Sequence, residues 1–159
     1  MPKIDRKLIS KKEEVANELK KIIKSENILY SEDETRAFET DGLTAYKQKP
    51  LIVVFPENTK EVSKILSYCN KNRIKVVPRG SGTGLSGGAL PTEDCILLCL
   101  GKFNKIIDID YKNRCVVAQP GVTNLSITHS VEEKGFYYAP DPSSQIACSI
   151  GGNVAENSG

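Results

Sequence analysis

Apolar positions first recur at helical spacing. In residues 10–24, Val15, Leu19, Ile22 and Ile23 fall on one stripe of a lysine-rich segment, which predicts an amphipathic helix with a solvated face. A second helix is predicted near 31–39, where Ser31 precedes Glu34 by three positions in a capping-box pattern. Residues 41–50 read as loop. From residue 51 the pattern changes. "LIVVF" (51–55) is a continuous apolar run ended by Pro56, the mark of a strand buried on both faces. Residues 59–72 return to helical spacing with Val62, Ile65, Leu66 and Cys69, and Thr59 is the expected N-cap. "KVVP" (75–78) is a second short strand. Strand, helix and strand in so few residues predict a βαβ unit with parallel strands and a right-handed crossover.

Beyond a glycine-rich loop the rhythm shortens. "CILLCL" (95–100), "KIIDID" (105–110) and "CVVAQP" (115–120) read as three strands with short connections, an antiparallel meander. Residues 123–135 predict a helix with Leu125, Ile127 and Val131 inward and Gly135 closing it. Residues 139–159 read as irregular. The expected class is α+β: a small parallel βαβ subdomain followed by the start of a mainly antiparallel α/β subdomain. Residues 1–45 are expected to be a helical appendage to a domain spanning 46–159.

Composition narrows the function classes. The chain has 159 residues, 39% hydrophobic and 26% charged, ordinary for a globular domain. A formal net charge of +2 gives no electrostatic footprint for nucleic acid. The charged N-terminus lacks the apolar stretch of a secretory signal. No apolar run reaches membrane-spanning length. Five cysteines, with no CxxC pair and no signal, predict reduced thiols and a cytoplasmic protein. Cys69, Cys95, Cys99 and Cys115 sit beside apolar residues and are expected to be buried. His129 is the single histidine, is read as structural, and has no cluster of metal ligands around it.

The densest chemical signal is "PRGSGTGLSGGALP" (78–91), with five glycines between two prolines. Gly82, Gly84 and Gly87 fit G-x-G-x-x-G, and Asp108 lies about 20 residues on, as in a dinucleotide fingerprint. That fingerprint has to open a helix. Pro91 follows too soon, and the next apolar run begins at Cys95, so the Rossmann reading fails on spacing. The remaining readings are a tight turn or a loop that binds for itself. Glycines allow positive φ and close ligand approach. Successive amides then form an anion nest, with Arg79 adding charge and Ser81, Thr83 and Ser86 adding hydroxyls. In "SIGGNVAENSG" (149–159), Gly151 and Gly152 are either a plain turn or part of the same ligand's envelope, with Asn153 and Asn157 as caps or donors.

The runs "DGLTAY", "VVPRGSGTGLSGGALP", "VAQPGVTNLSI" and "YYAPDPSSQIACSIGGNVAENSG" together resemble the FAD-binding domain of the vanillyl-alcohol-oxidase (PCMH-type) flavoproteins. The likeness is to the group containing bacterial glycolate oxidase and the D-lactate and other D-2-hydroxyacid dehydrogenases. It implies FAD as cofactor. The pyrophosphate would be wrapped by Arg79, Gly80, Ser81, Gly82, Thr83, Gly84, Leu85, Ser86, Gly87 and Gly88. Pro140, Asp141, Pro142 and Ser143 would approach the flavin, and Ser149, Gly151, Gly152, Asn153 and Asn157 would line the cofactor. Some relatives attach FAD through a histidine in the glycine loop. This loop has none, so the cofactor is expected to be non-covalent.

The resemblance also implies a small 2-hydroxyacid substrate and partner subunits, one of them an iron–sulfur protein. It covers the front third of such a flavoprotein, so substrate-binding basic residues and catalytic histidines are expected outside this chain, and no catalytic residue is assigned within it. The alternative expectation is a non-catalytic truncated or split-gene piece that needs another polypeptide to complete both sites.

Overall fold

The computed structural model describes residues 3–157. Asp5 caps the short helix α1 (Arg6–Ile9), its carboxylate accepting from the amides of Lys7 and Leu8. Helix α2 (Lys12–Leu19) buries Val15, Ala16 and Leu19; of the expected stripe Val15 and Leu19 lie on it, whereas Ile22 and Ile23 fall in the turn after it, so the helix is shorter than the periodicity predicts. After β1 (Ile28–Leu29), Ser31 and Glu34 form the predicted capping box at the start of α3 (Glu32–Arg36). Then come β2 (Ile52–Val54), α4 (Thr59–Asn72), β3 (Lys75–Arg79) and β4 (Cys95–Cys99). The N-cap of α4 is Asn58 rather than Thr59. Its side chain accepts from the Glu61 amide at 3.0 Å, while Glu61 reaches back to the Glu57 amide at 2.7 Å.

The first sheet runs in the order β1-β2-β4-β3, with β2 and β3 each parallel to β4 and β1 antiparallel to β2. The expected strand–helix–strand unit therefore exists, but its two strands do not touch. Residues 95–99 lie between them, so this run is not part of a meander. Every residue of "CILLC" is buried, and only the centre of a sheet covered on both faces can bury such a run. The meander reduces to one antiparallel hairpin, β5 (Ile106–Asp110) and β6 (Cys115–Ala118). Helix α5 (Asn124–Val131) follows, and Gly135, at φ +77, closes the tight turn after it. The stretch expected to be irregular contains one more helix, α6 (Ile150–Glu156).

On one face of the first sheet, Ile52, Val54, Ile96 and Leu98 pack with Val15, Leu19 and Ile23 and with Ile65 and Cys69 of α4. Residues between Leu8 and Phe38 thus share a core with the sheet. Leu66, expected inward, is exposed: the buried positions of α4 are Ile65 and Cys69, and Leu66 lies one residue further round. On the other face, Val53, Leu97 and Cys99 pack with Phe38 and Phe55, whose rings meet edge-on at 5.8 Å. Glu57 joins the N-terminal segment to the sheet. Hydrogen bonds from Asn27, Lys24 and Lys102 hold its carboxyl down to about 2.

All five cysteines are free. Burial pushes the thiols of Cys69 and Cys99 up to about 11 and about 12, leaving them protonated and unreactive. Cys115, expected inside, is exposed at the start of a hairpin strand, and Cys148 takes the buried place instead. Among the described residues no helix is long and apolar enough to cross a membrane.

Candidate functional site

The glycine-rich loop leaves the C-terminal end of β3, where parallel strands commonly present ligands. Its conformation is set from inside. The Arg79 guanidinium donates to the carbonyls of Thr40 at 2.7 Å and Ala89 at 3.3 Å, tying the far end of the loop to the segment that follows α3. The same group stands 5.8 Å from the Phe38 ring centroid. Gly82, at φ +74, folds over the guanidinium so closely that a Cβ would strike it. Arg79 therefore acts first as the loop's internal strut. Gly87 supplies a second left-handed turn at φ +78. No helix forms between residues 80 and 94, so the spacing argument against a Rossmann fingerprint holds.

A second wall is built from the end of the chain. The amides of Ile150 and Gly151 donate to the carbonyls of Val122 and Pro120, both at 2.8 Å, and Ser149 bridges Thr123. Ser149 caps α6 by accepting from the Gly152 amide. A Cβ at Gly151 would lie 2.6 Å from the Pro120 Cβ and 2.9 Å from its carbonyl oxygen, so only glycine allows this close packing. Behind the wall stands Asn124, which is buried. It donates to the Pro140 carbonyl at 3.2 Å and accepts from Asn153 at 2.7 Å, tying together segments far apart in sequence.

The two glycine-rich stretches meet. Gly80 lies against the Ser149 hydroxyl, and Gly84 and Gly88 face the Glu156 carboxylate. Between them is a cavity of about 680 Å³, within the usual range for small-molecule sites. Arg79, Gly80, Ser81, Gly82, Thr83, Gly84, Leu85, Ser86, Gly88, Pro142, Ser143, Ser149, Gly151, Gly152 and Asn153 line it, each of them named from the sequence. Gly87, Pro140, Asp141 and Asn157 do not. Gly87 forms the bend, and the Pro140 carbonyl is held by Asn124. Asp141 accepts from Gln145 at 2.6 Å, and Asn157 closes α6 in the left-handed conformation. His129 is exposed on α5, away from the cavity.

Sequence reasoning missed Pro78, Ala89, Leu100, Pro120, Ser144, Cys148, Ala155 and Glu156 in the lining, and Asn124 behind it. Among the described residues no group of three or more histidine, cysteine or acidic side chains is placed to hold a metal. The arrangement fits an extended ligand with an anionic middle. Bare backbone at Gly84 and Gly88, faced only by the end of a flexible glutamate, admits close approach, hydroxyls at Ser81, Thr83 and Ser86 flank it, and the cavity spans both stretches.

Residues 50–159 match the sequence pattern of the family described as "FAD binding domain". The chain is 54% identical over 132 residues to the glycolate oxidase subunit GlcD of Escherichia coli (strain K12), covering 83% of this chain and 26% of that protein. It is 36% identical over 140 residues to a D-lactate dehydrogenase of Anaerostipes hadrus, covering 87% of this chain and 29% of that protein. The chain thus spans roughly a quarter of the length of these curated relatives. Its fold superposes on a crystal structure of p-cresol methylhydroxylase with a TM-score of 0.79 at 20% identity, covering 98% of this chain and 30% of that one.

Proposed function

Because the chain belongs to the FAD binding domain family, we propose that it is the FAD-cradling portion of a flavin-dependent oxidoreductase acting on D-2-hydroxyacids such as glycolate or D-lactate. The observation that carries this reading is the meeting of residues 79–88 and 142–156 around one cavity at the C-terminal end of β3. Amides and hydroxyls of the glycine loop would hold the pyrophosphate, and Pro142 and Ser143 would stand toward the flavin. Arg79 keeps the loop in its binding shape, and Asn124 keeps the opposite wall in place. Non-covalent attachment is the reading in keeping with a glycine loop, residues 79–88, that carries no histidine. Bound FAD supplies the two-electron chemistry, and the protein supplies position and electrostatics.

Substrate oxidation would draw on polypeptide beyond these residues, and in the intact assembly on a partner such as an iron–sulfur protein. Two features support this. The chain spans 26% of the glycolate oxidase subunit. The hairpin β5–β6 leaves Ile107 and Val117 more than half exposed, an uncovered apolar surface of the kind that other chain elements pack upon. A cytoplasmic location is in keeping with five unpaired cysteines.

The test is an FAD titration of the purified chain, followed by flavin fluorescence and by thermal shift, which rises when ligand binds the folded state. Wild type is expected to bind saturably. Gly84→Leu points its new side chain into the cavity without a positive φ and is expected to fold normally and lose binding. Equal binding by the two proteins overturns the assignment of the loop. Separately, neither glycolate nor D-lactate is expected to reduce a dye through this chain alone, and dye reduction would overturn that part of the proposal.

A further inference from the structure

The cavity holds a negative charge of its own. Glu156, in the last turn of α6, reaches across to the glycine loop. Its carboxylate occupies the space that a Cβ at Gly84 would need and lies 3.6 Å from the Cβ position of Gly88. Ser86 Oγ donates to it at 3.5 Å. Among the described residues no lysine or arginine pairs with it. The one arginine of the lining, Arg79, is engaged with the carbonyls of Thr40 and Ala89. An unpaired carboxylate therefore rests in a cleft whose missing side chains and hydroxyl donors suit an anion.

We propose that Glu156 is an internal anion that takes the place of the pyrophosphate against the glycine loop and opposes dinucleotide binding until it is displaced. The inference rests on the FAD reading given above. A carboxylate and a doubly charged pyrophosphate cannot share the Gly84–Gly88 cleft, for steric reasons and because like charges a few ångströms apart repel. Binding therefore includes swinging Glu156 outward, which its exposed position permits. The contact makes the site selective by charge. Ligands without phosphate feel little of the opposition, and FAD feels all of it.

The chain, as wild type and as Glu156→Gln, is titrated with FAD and with riboflavin, which carries no phosphate. Binding is read by flavin fluorescence and folding by circular dichroism. Glu156→Gln keeps the side-chain length and removes the charge. It is expected to bind FAD about tenfold more tightly, the effect of removing one like charge at partly screened range. Riboflavin binding is expected to change by less than about twofold on the same electrostatic ground. Glu156→Ala, which also clears the space, is expected to bind FAD at least as tightly as Glu156→Gln and guards against a variant that fails to fold.

Unchanged or weaker FAD binding by both variants overturns the proposal and leaves the FAD reading standing; weaker binding would mean that Glu156 holds the cofactor. Equal tightening for FAD and riboflavin also overturns it, since packing rather than charge would then be the cause. Folded wild type and variants that all fail to bind FAD overturn the FAD reading and this inference with it.

Discussion

Residues 79–88 and 149–157 each carry a pair of adjacent glycines, 87–88 and 151–152, yet the first stretch stays free of helix and the second winds into α6. In the first, glycine makes room for side chains at Gly80 and Gly82, against Ser149 and Arg79, and leaves open space only toward its far end. A Cβ at Gly87 meets nothing, and one at Gly84 meets only the end of a flexible glutamate. The shape comes from Arg79, which ties the loop's exit at Ala89 to the neighbouring segment at Thr40. In the second, glycine serves contact. Gly151 brings the backbone of α6 hard against Pro120, and Ser149 caps the helix. A stretch of glycines is thus a binding surface only where the space beside it is left open. Where another backbone fills that space, the glycine is a packing residue.

The largest effect expected from this contrast is at Gly151. Gly151→Val places atoms where Pro120 backbone stands, and the protein is expected to lose about 3 kcal/mol or more, read as a fall in the urea midpoint. Stability within about 0.5 kcal/mol of wild type would make the two stretches alike. Next is Arg79→Met, which strands the Thr40 and Ala89 carbonyls and is expected to cost about 2 kcal/mol. It should also speed proteolysis between residues 80 and 90, whereas an unaltered cleavage rate would mean that the loop holds its own shape.

Within the loop, Gly87→Ala forces a left-handed alanine and is expected to cost about 1 kcal/mol. Gly84→Ala, free of that strain, is expected to sit near zero by the same thermal melt. A reversal of that order would place the strain elsewhere. The smallest effect lies outside both stretches and serves as their control. Glu57 is depressed from its ordinary 4.5 to about 2, chiefly by Asn27 and then by Lys24 and Lys102. A depressed acid stabilises fully above its unfolded value and loses that contribution as pH falls through its folded value. Stability should therefore decline between about pH 4.5 and 2, and Glu57→Gln should flatten part of that decline. An identical acid profile in the variant would show that the network contributes nothing.

Much of the fold was legible because periodicity and capping are local. The inward Val15 and Leu19 of α2, the capping box at Ser31 and the buried run at 52–54 all follow from neighbours in sequence. Strand order was not legible. Chain order suggested that 95–100 opens a meander, although its unbroken apolar run resembles 51–55 and belongs, for the same reason, to the interior of a parallel sheet. Helix α6 was hidden because two glycines and a buried asparagine mask any apolar stripe, and its one large apolar residue near the end, Val154, is exposed. The signals were its ends, Ser149 three residues before Gly152 and Asn157 at a left-handed close.

At the site, glycines and hydroxyls announced themselves through composition. Leu100 and Pro120 did not, since nothing local distinguishes a leucine after a strand that lines a cavity from one that does not. Asn124 escaped as well. Its importance comes from three contacts, with Pro140, Cys148 and Asn153, that exist only once the chain has folded.

The central claim is that both glycine-rich stretches close on one FAD molecule. Amide hydrogen exchange of the chain with and without FAD reads this directly, residue by residue. Slowed exchange in residues 80–88 and in 149–153 together, with little change on the hairpin of β5 and β6, is the predicted result. Protection confined to one stretch, or found only elsewhere, would contradict it.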